Sequence, residues 1–291
     1  MNDRAPHNNG EALDRRLANM IRPRRRLLTA FSGGIDSTLV AAMARRVLGR
    51  GAAPVAVGDS PSLSRRELED ARRLARELDL ELIEIRPGEQ DDARYQANAG
   101  DRCYYCKSHL YDAMQQLAAD LGIRYIANGS NLDDQGDYRP GLQAAAEAEV
   151  ISPLMEAGFD KTAVRALAEH LGLPNADKPA SACLASRIAY GTPVTPQRLD
   201  MVEQAENLLR ELGLRQFRVR HHELMGERQA ALARIEVPGD DLASLIEPAV
   251  RERLVERLTG IGYAYVSLDL AGFRSGSGNV LLGVSVRETG G

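Results

Sequence analysis

Leu27-Leu28-Thr29-Ala30-Phe31-Ser32-Gly33-Gly34-Ile35-Asp36-Ser37 sets an apolar run of strand length against a turn of small residues. From Thr38 to Leu48 the apolar residues Leu39, Ala42, Met43 and Val47 recur at helical spacing. The pattern predicts a strand, a glycine turn and a helix start. The first-turn N–H groups of such a helix lack intrahelical partners, and the helix dipole favours an anion there. Gly33 and Gly34 let the backbone approach a phosphate, Ser32 and Ser37 add hydroxyls, and Asp36 offers a carboxylate for Mg²⁺ held between phosphates. The Gly-Lys-Ser/Thr ending of a Walker A loop is missing, and so is the G-x-G-x-x-G dinucleotide fingerprint.

Outward from this stretch, strands and helices alternate: strand Pro54–Val57, helix Ser64–Leu78, strand Leu80–Ile85, helix Cys103–Leu121, strand Ile123–Ala127. The alternation predicts a parallel α/β sheet with its ligand past the carboxyl ends of the strands. Small or polar residues follow Phe31, Val57 and Ala127, among them Gly129 in Asn128-Gly129-Ser130. Ser-Gly-Gly-Ile-Asp-Ser resembles the PP-loop of ATP pyrophosphatases, which split ATP into AMP and pyrophosphate while adenylating a substrate. In the next loop, Asp133, Asp134 and Arg139 are candidates for phosphate or metal contact, the alternative being a capped surface turn.

Composition sets outer bounds. The 291 residues are enough for one large or two ordinary domains. Thirty-seven basic and 41 acidic side chains leave a net charge of −4, so no general basic field points to nucleic acid or an anionic membrane. No apolar run approaches a membrane span, and Met1–Gly10 is too polar for a signal peptide. Three cysteines, an odd number, argue for a reducing cytoplasm rather than a disulfide framework.

After a helix at Lys161–Leu171 comes Lys178-Pro179-Ala180-Ser181-Ala182-Cys183-Leu184-Ala185-Ser186-Arg187-Ile188-Ala189-Tyr190-Gly191, whose composition predicts an active-site loop and inter-domain joint. Beyond it, helix Pro196–Leu212, strands Gln216–His221 and Ala233–Val237, helix Asp241–Leu258 and strand Tyr263–Leu268 predict a smaller α+β domain. The expected division is 11–191 for the nucleotide domain and 192–291 for the second. Arg218 and Arg220 alternate onto one strand face, where they hold a phosphate or carboxylate, or simply meet solvent. Cys103-Tyr104-Tyr105-Cys106 places two thiols one helical turn apart. With His109 and Cys183 they match a zinc site, and three unrelated thiols are the plainer alternative.

Phe31-Ser-Gly-Gly-Ile-Asp-Ser-Thr-Leu-Val, Asp137-Tyr-Arg-Pro-Gly-Leu, Lys161-Thr-Ala-Val-Arg-Ala-Leu-Ala, Ala185-Ser-Arg-Ile-Ala-Tyr-Gly-Thr and Leu268-Asp-Leu-Ala-Gly-Phe-Arg-Ser-Gly together resemble the LarE family. Those proteins are the ATP-dependent sulfur transferases of nickel-pincer nucleotide biosynthesis. The resemblance, from about residue 11 to 276, implies a pyridinium dicarboxylate mononucleotide whose carboxylates become thiocarboxylates, and a homo-oligomer, hexameric where the family is best described. It implies active-site roles for Ser186, Arg187 and Glu206 and substrate contacts for Arg218 and Arg220, while Ser32, Gly33, Gly34, Asp36, Ser37, Gly129 and Arg139 are the nucleotide contacts expected from the loops after the strands.

The family has two cysteine types. One sacrifices a single loop cysteine, which becomes dehydroalanine. The other holds a [4Fe–4S] cluster on three cysteines, with an extra sulfide on the remaining iron. Cys103, Cys106 and Cys183 match the second type, and Cys183 lies one residue beyond the sacrificial position, here Ala182. Competing readings are the sacrificial route, another PP-loop adenylating enzyme such as a tRNA thiolase or amide synthetase, and a non-catalytic nucleotide sensor with structural zinc.

Overall fold

The computed structural model describes residues 10–136, 140–179, 182–224 and 230–274. The chain forms two compact units, 1–89 with 103–181, and 90–102 with 182–291.

In the first unit α1 (Gly10–Ile21) leads to β1 (Leu27–Ala30), α2 (Ile35–Leu48), β2 (Val55–Gly58), α3 (Arg65–Glu77) and β3 (Leu82–Ile85). The chain passes through the short helix α4 (Ala93–Gln96) of the second unit and returns with α5 (Arg102–Asp120). The unit closes with β4 (Tyr125–Ala127), α6 (Pro140–Glu147), α7 (Pro153–Glu156) and α8 (Lys161–His170). The strands run in the order β3-β2-β1-β4, all parallel. Strand residues alternate between faces. Leu27 and Ala127 join residues of α1, α2 and α8 in one apolar cluster, and Phe31, Val55 and Val57 pack with α3 residues. On the other face Leu28, Ala56 and Ile126 pack with residues of α5 and α6. Burial on both faces explains why β1, β2 and β4 are mainly apolar rather than alternating.

Local signals set the helix starts. Ser64 and Asp160 cap α3 and α8, accepting the N–H groups of Glu67 at 3.2 Å and Ala163 at 2.7 Å. Among the described residues no helix is long and apolar enough to cross a membrane.

The second unit holds α9 (Pro196–Glu211), β5 (Arg218–Leu224), β6 (Ala230–Glu236), α10 (Gly239–Ile246), α11 (Pro248–Ile261) and β7 (Tyr263–Leu268). Its sheet is mixed: β5 and β6 are antiparallel, β6 and β7 parallel. A core of Ala205, Leu209, Val219, Ile235, Leu258 and Tyr263 lies between sheet and helices. The expected α/β unit with a parallel sheet and the separate α+β unit are both present. The helix expected over 241–258 is two helices. Glu247 has ψ 133° ahead of Pro248, because proline pushes its predecessor out of the helical region.

Candidate functional site

The loop after β1 closes on itself through its two serines. The Ser37 hydroxyl donates to the Gly34 carbonyl at 3.1 Å and accepts the Ser32 N–H at 3.2 Å, and the two hydroxyls stand 3.1 Å apart. Gly33 has φ +69°, which residues bearing a Cβ rarely adopt, and Gly34 is the N-cap of α2. The Gly33 carbonyl accepts from Asn175 Nδ2 at 3.1 Å, and that amide also reaches Thr38 Oγ1 at 3.0 Å. Lys178 Nζ stands 3.5 Å from the same carbonyl and 3.7 Å from Asp70. The loop is thereby tied at both serines and at the Gly33 carbonyl, ahead of the first-turn N–H groups of α2.

At Gly129, after β4, a Cβ would stand 2.6 Å from the Ser37 nitrogen, so only glycine lets the two backbones meet. Close by, Asp36 accepts from Asn131 Nδ2 at 2.8 Å. Burial pushes the Asp36 carboxyl above its ordinary range. The Asn131 bond and Lys161 hold it down, and Asp134 adds to the rise. Such a half-buried carboxylate beside a second acidic group suits a hard cation that brings waters and phosphate oxygens as its other ligands. Asp133 accepts the Lys161 N–H at 2.8 Å, and Asp134 accepts the Asn131 N–H at 3.1 Å. Arg139 lies outside the described residues.

In the second unit the cysteine loop is bound by arginines. Arg187, buried, donates to the carbonyls of Ala182 at 2.6 Å and Cys183 at 3.2 Å, to Ser186 Oγ at 2.9 Å and to Glu206 at 2.8 Å. Arg220, also buried, donates to both oxygens of Glu236, at 3.1 and 3.2 Å, and to the Ser186 carbonyl at 2.7 Å. Arg218 is different. It stacks 4.7 Å from the Phe273 ring centroid, and among the described residues no carboxylate lies within ion-pair distance of it. Burial, together with the cations Arg220 and Arg187, pulls its guanidinium down to about 10. An anion placed there would relieve that strain.

Cys103 and Cys106 lie one turn apart at the start of α5 in the first unit, and Cys183 precedes a 3₁₀ turn (Leu184–Arg187) in the second. All three are thiols, Cys103 exposed and the others half-buried. Among the described residues no group of three or more His, Cys, Asp or Glu side chains is gathered to hold a metal. Within their own units, the elements bring Ser32, Gly33, Gly34, Asp36, Ser37 and Gly129 together, and likewise Cys183, Ser186, Arg187, Glu206, Arg218 and Arg220. Asn175 and Glu236 escaped the reading of the sequence, because nothing local marks them.

A family model described as asparagine synthase matches residues 10–106. The chain is 43% identical over 257 residues to an uncharacterised protein of Synechocystis sp., covering 88% of this chain and 93% of the other. It is 40% identical over 254 residues to the pyridinium-3,5-bisthiocarboxylic acid mononucleotide synthase of Lactiplantibacillus plantarum, covering 87% and 89% of the two chains.

Proposed function

The chain belongs to the LarE family of ATP-dependent sulfur transferases, within the PP-loop superfamily, and we propose that it converts the carboxylates of a pyridinium dicarboxylate mononucleotide into thiocarboxylates. The observation that carries this reading is the clamped Ser32–Ser37 loop with its half-buried Asp36. A carboxylate is a poor electrophile, and transfer of AMP from ATP gives it a good leaving group. Backbone N–H groups of the loop then offset charge on the departing pyrophosphate. Asp36 is the residue to hold Mg²⁺, which supplies further neutralisation of the phosphates. Arg218 would pair with an acidic group of the mononucleotide, and Ser186 would lie against the activated carbonyl. Arg187, Glu206 and Arg220 shape the loop that presents it.

For the sulfur source we take Cys103, Cys106 and Cys183 as ligands of one [4Fe–4S] cluster. Three soft thiolates fit such a group, and when bound it would supply a sulfide on the iron that no cysteine holds. The family resemblance further supports a homo-oligomer in the cytoplasm. Anaerobic purification with iron, sulfide and zinc analysis tests the ligand set. Brown protein with about four irons per chain, lost in each single Cys→Ala variant, is expected. Colourless zinc protein, or loss of the elements of H₂S from Cys183 after turnover, would overturn it.

A further inference from the structure

Asn98 has no exposed surface and sits in left-handed backbone at φ 53°, a conformation that asparagine and aspartate tolerate better than other residues with a Cβ. Its side-chain amide donates to the carbonyls of Thr192 at 2.8 Å and Ala189 at 2.9 Å, with Ile188 at 3.4 Å. Its Oδ1 accepts from Arg102, whose same nitrogen donates to the Ala185 carbonyl at 2.9 Å. The Arg102 guanidinium also stands 5.6 Å from the Tyr190 ring centroid. Backbone bonds add to this belt, from the Gly191 N–H to the Asn98 carbonyl at 3.2 Å and from the Val194 N–H to the Gln96 carbonyl at 2.8 Å.

The stretch from Ala182 to Thr192 is therefore gripped twice. Arg187 and Arg220 take the carbonyls of Ala182, Cys183 and Ser186, while Asn98 and Arg102 take those of Ala185, Ala189 and Thr192. A loop with so many of its carbonyls accepting has few alternative conformations. Its two half-buried reactive side chains, Cys183 and Ser186, are thus delivered at set positions.

We infer that Asn98, acting with Arg102, is a positioning residue for the sulfur-transfer step, fixing the loop that presents Cys183 and Ser186. What the loop delivers rests on the sulfur-transferase reading; the grip itself does not. Asn98→Asp is the sharpest probe. It keeps the size and the tolerance for left-handed backbone, and it turns the donor into an acceptor facing carbonyl oxygens.

In full-length protein carrying Cys103→Ser and Cys106→Ser, Cys183 is the one remaining thiol, and its alkylation by iodoacetamide reports loop geometry without turnover. Asn98→Asp is expected to change that rate about tenfold or more. With all three cysteines present, thiocarboxylate formed per pyrophosphate released should fall about tenfold or more, while pyrophosphate release stays within about twofold. Arg102→Lys, which keeps one donor for the Ala185 carbonyl, should retain most of the coupling that Arg102→Ala loses. An unchanged alkylation rate, adenylation and sulfur transfer falling in parallel, or failure of both Asn98→Asp and Arg102→Lys to fold would each overturn the inference. Wild-type protein that releases pyrophosphate and forms no thiocarboxylate would instead overturn the sulfur-transferase reading, and the alkylation rate would still decide the role of Asn98.

Discussion

Arg187 and Glu206 form an ion pair of 2.8 Å with both side chains more than nine-tenths buried, joining the cysteine loop to α9. The carboxylate also accepts the Val219 N–H at 3.3 Å, so loop, helix and β5 meet on one side chain. Removing one member of such a pair leaves a buried charge unmatched. Glu206→Ala should destabilise the second unit by about 3–5 kcal/mol, and Glu206→Gln by less. Denaturant unfolding followed by circular dichroism checks this, and a loss below about 1 kcal/mol would show that the pair behaves as a surface contact.

Asp36 gives the test of the nucleotide site. Turnover should yield AMP and pyrophosphate, and Asp36→Asn should lower the rate by about 10²–10³ while the Asn131 contact keeps the fold. Product analysis by chromatography decides it. ADP and phosphate as products would rule out a PP-loop reaction.

The two arginines of β5 should respond differently. Arg218, with its depressed guanidinium and no carboxylate within ion-pair distance among the described residues, should on replacement by Ala weaken mononucleotide binding by about 1.5–3 kcal/mol and hardly alter stability. Arg220→Ala should chiefly cost stability, because Glu236 has no exposed surface and would lose the two hydrogen bonds that Arg220 gives it. Calorimetric titration alongside unfolding midpoints separates the two effects. Equal binding losses with equal stabilities would contradict the assignment.

Acid should weaken the second unit through His221. Burial, with Arg198 adding to it, pulls this imidazole down to about 4 from an ordinary value of 6.5, so the folded chain keeps it neutral. Between those values the unfolded chain binds the extra proton, and stability falls as pH drops from about 6.5 to 4. His222, depressed by burial and by Arg234, acts in the same direction. His221→Asn should flatten that part of the stability–pH curve. Identical slopes for variant and wild type would place the titration elsewhere.

The first unit was legible because its signals are local. Glycines, capping side chains and mainly apolar strands each declare a conformation within a few residues, and period-two alternation put Arg218 and Arg220 on one face. The partners were not legible. Asn175 holds the Gly33 carbonyl from 142 positions away, and Glu236 reaches Arg220 only because the β5–β6 register brings it there. The break at Pro248 was local and still escaped, since apolar spacing carries on across it.

The interleaving of the two units also bears on synthesis. Asn98 leaves the ribosome 90 to 94 residues ahead of the carbonyls that its amide binds. At about 5–20 residues per second, that is a wait of roughly 5–20 s. For that interval Asn98, which has no exposed surface in the finished protein, lacks the carbonyls that its amide binds. The order of synthesis therefore makes the cysteine loop the last piece to reach that amide, and its arrival completes the grip.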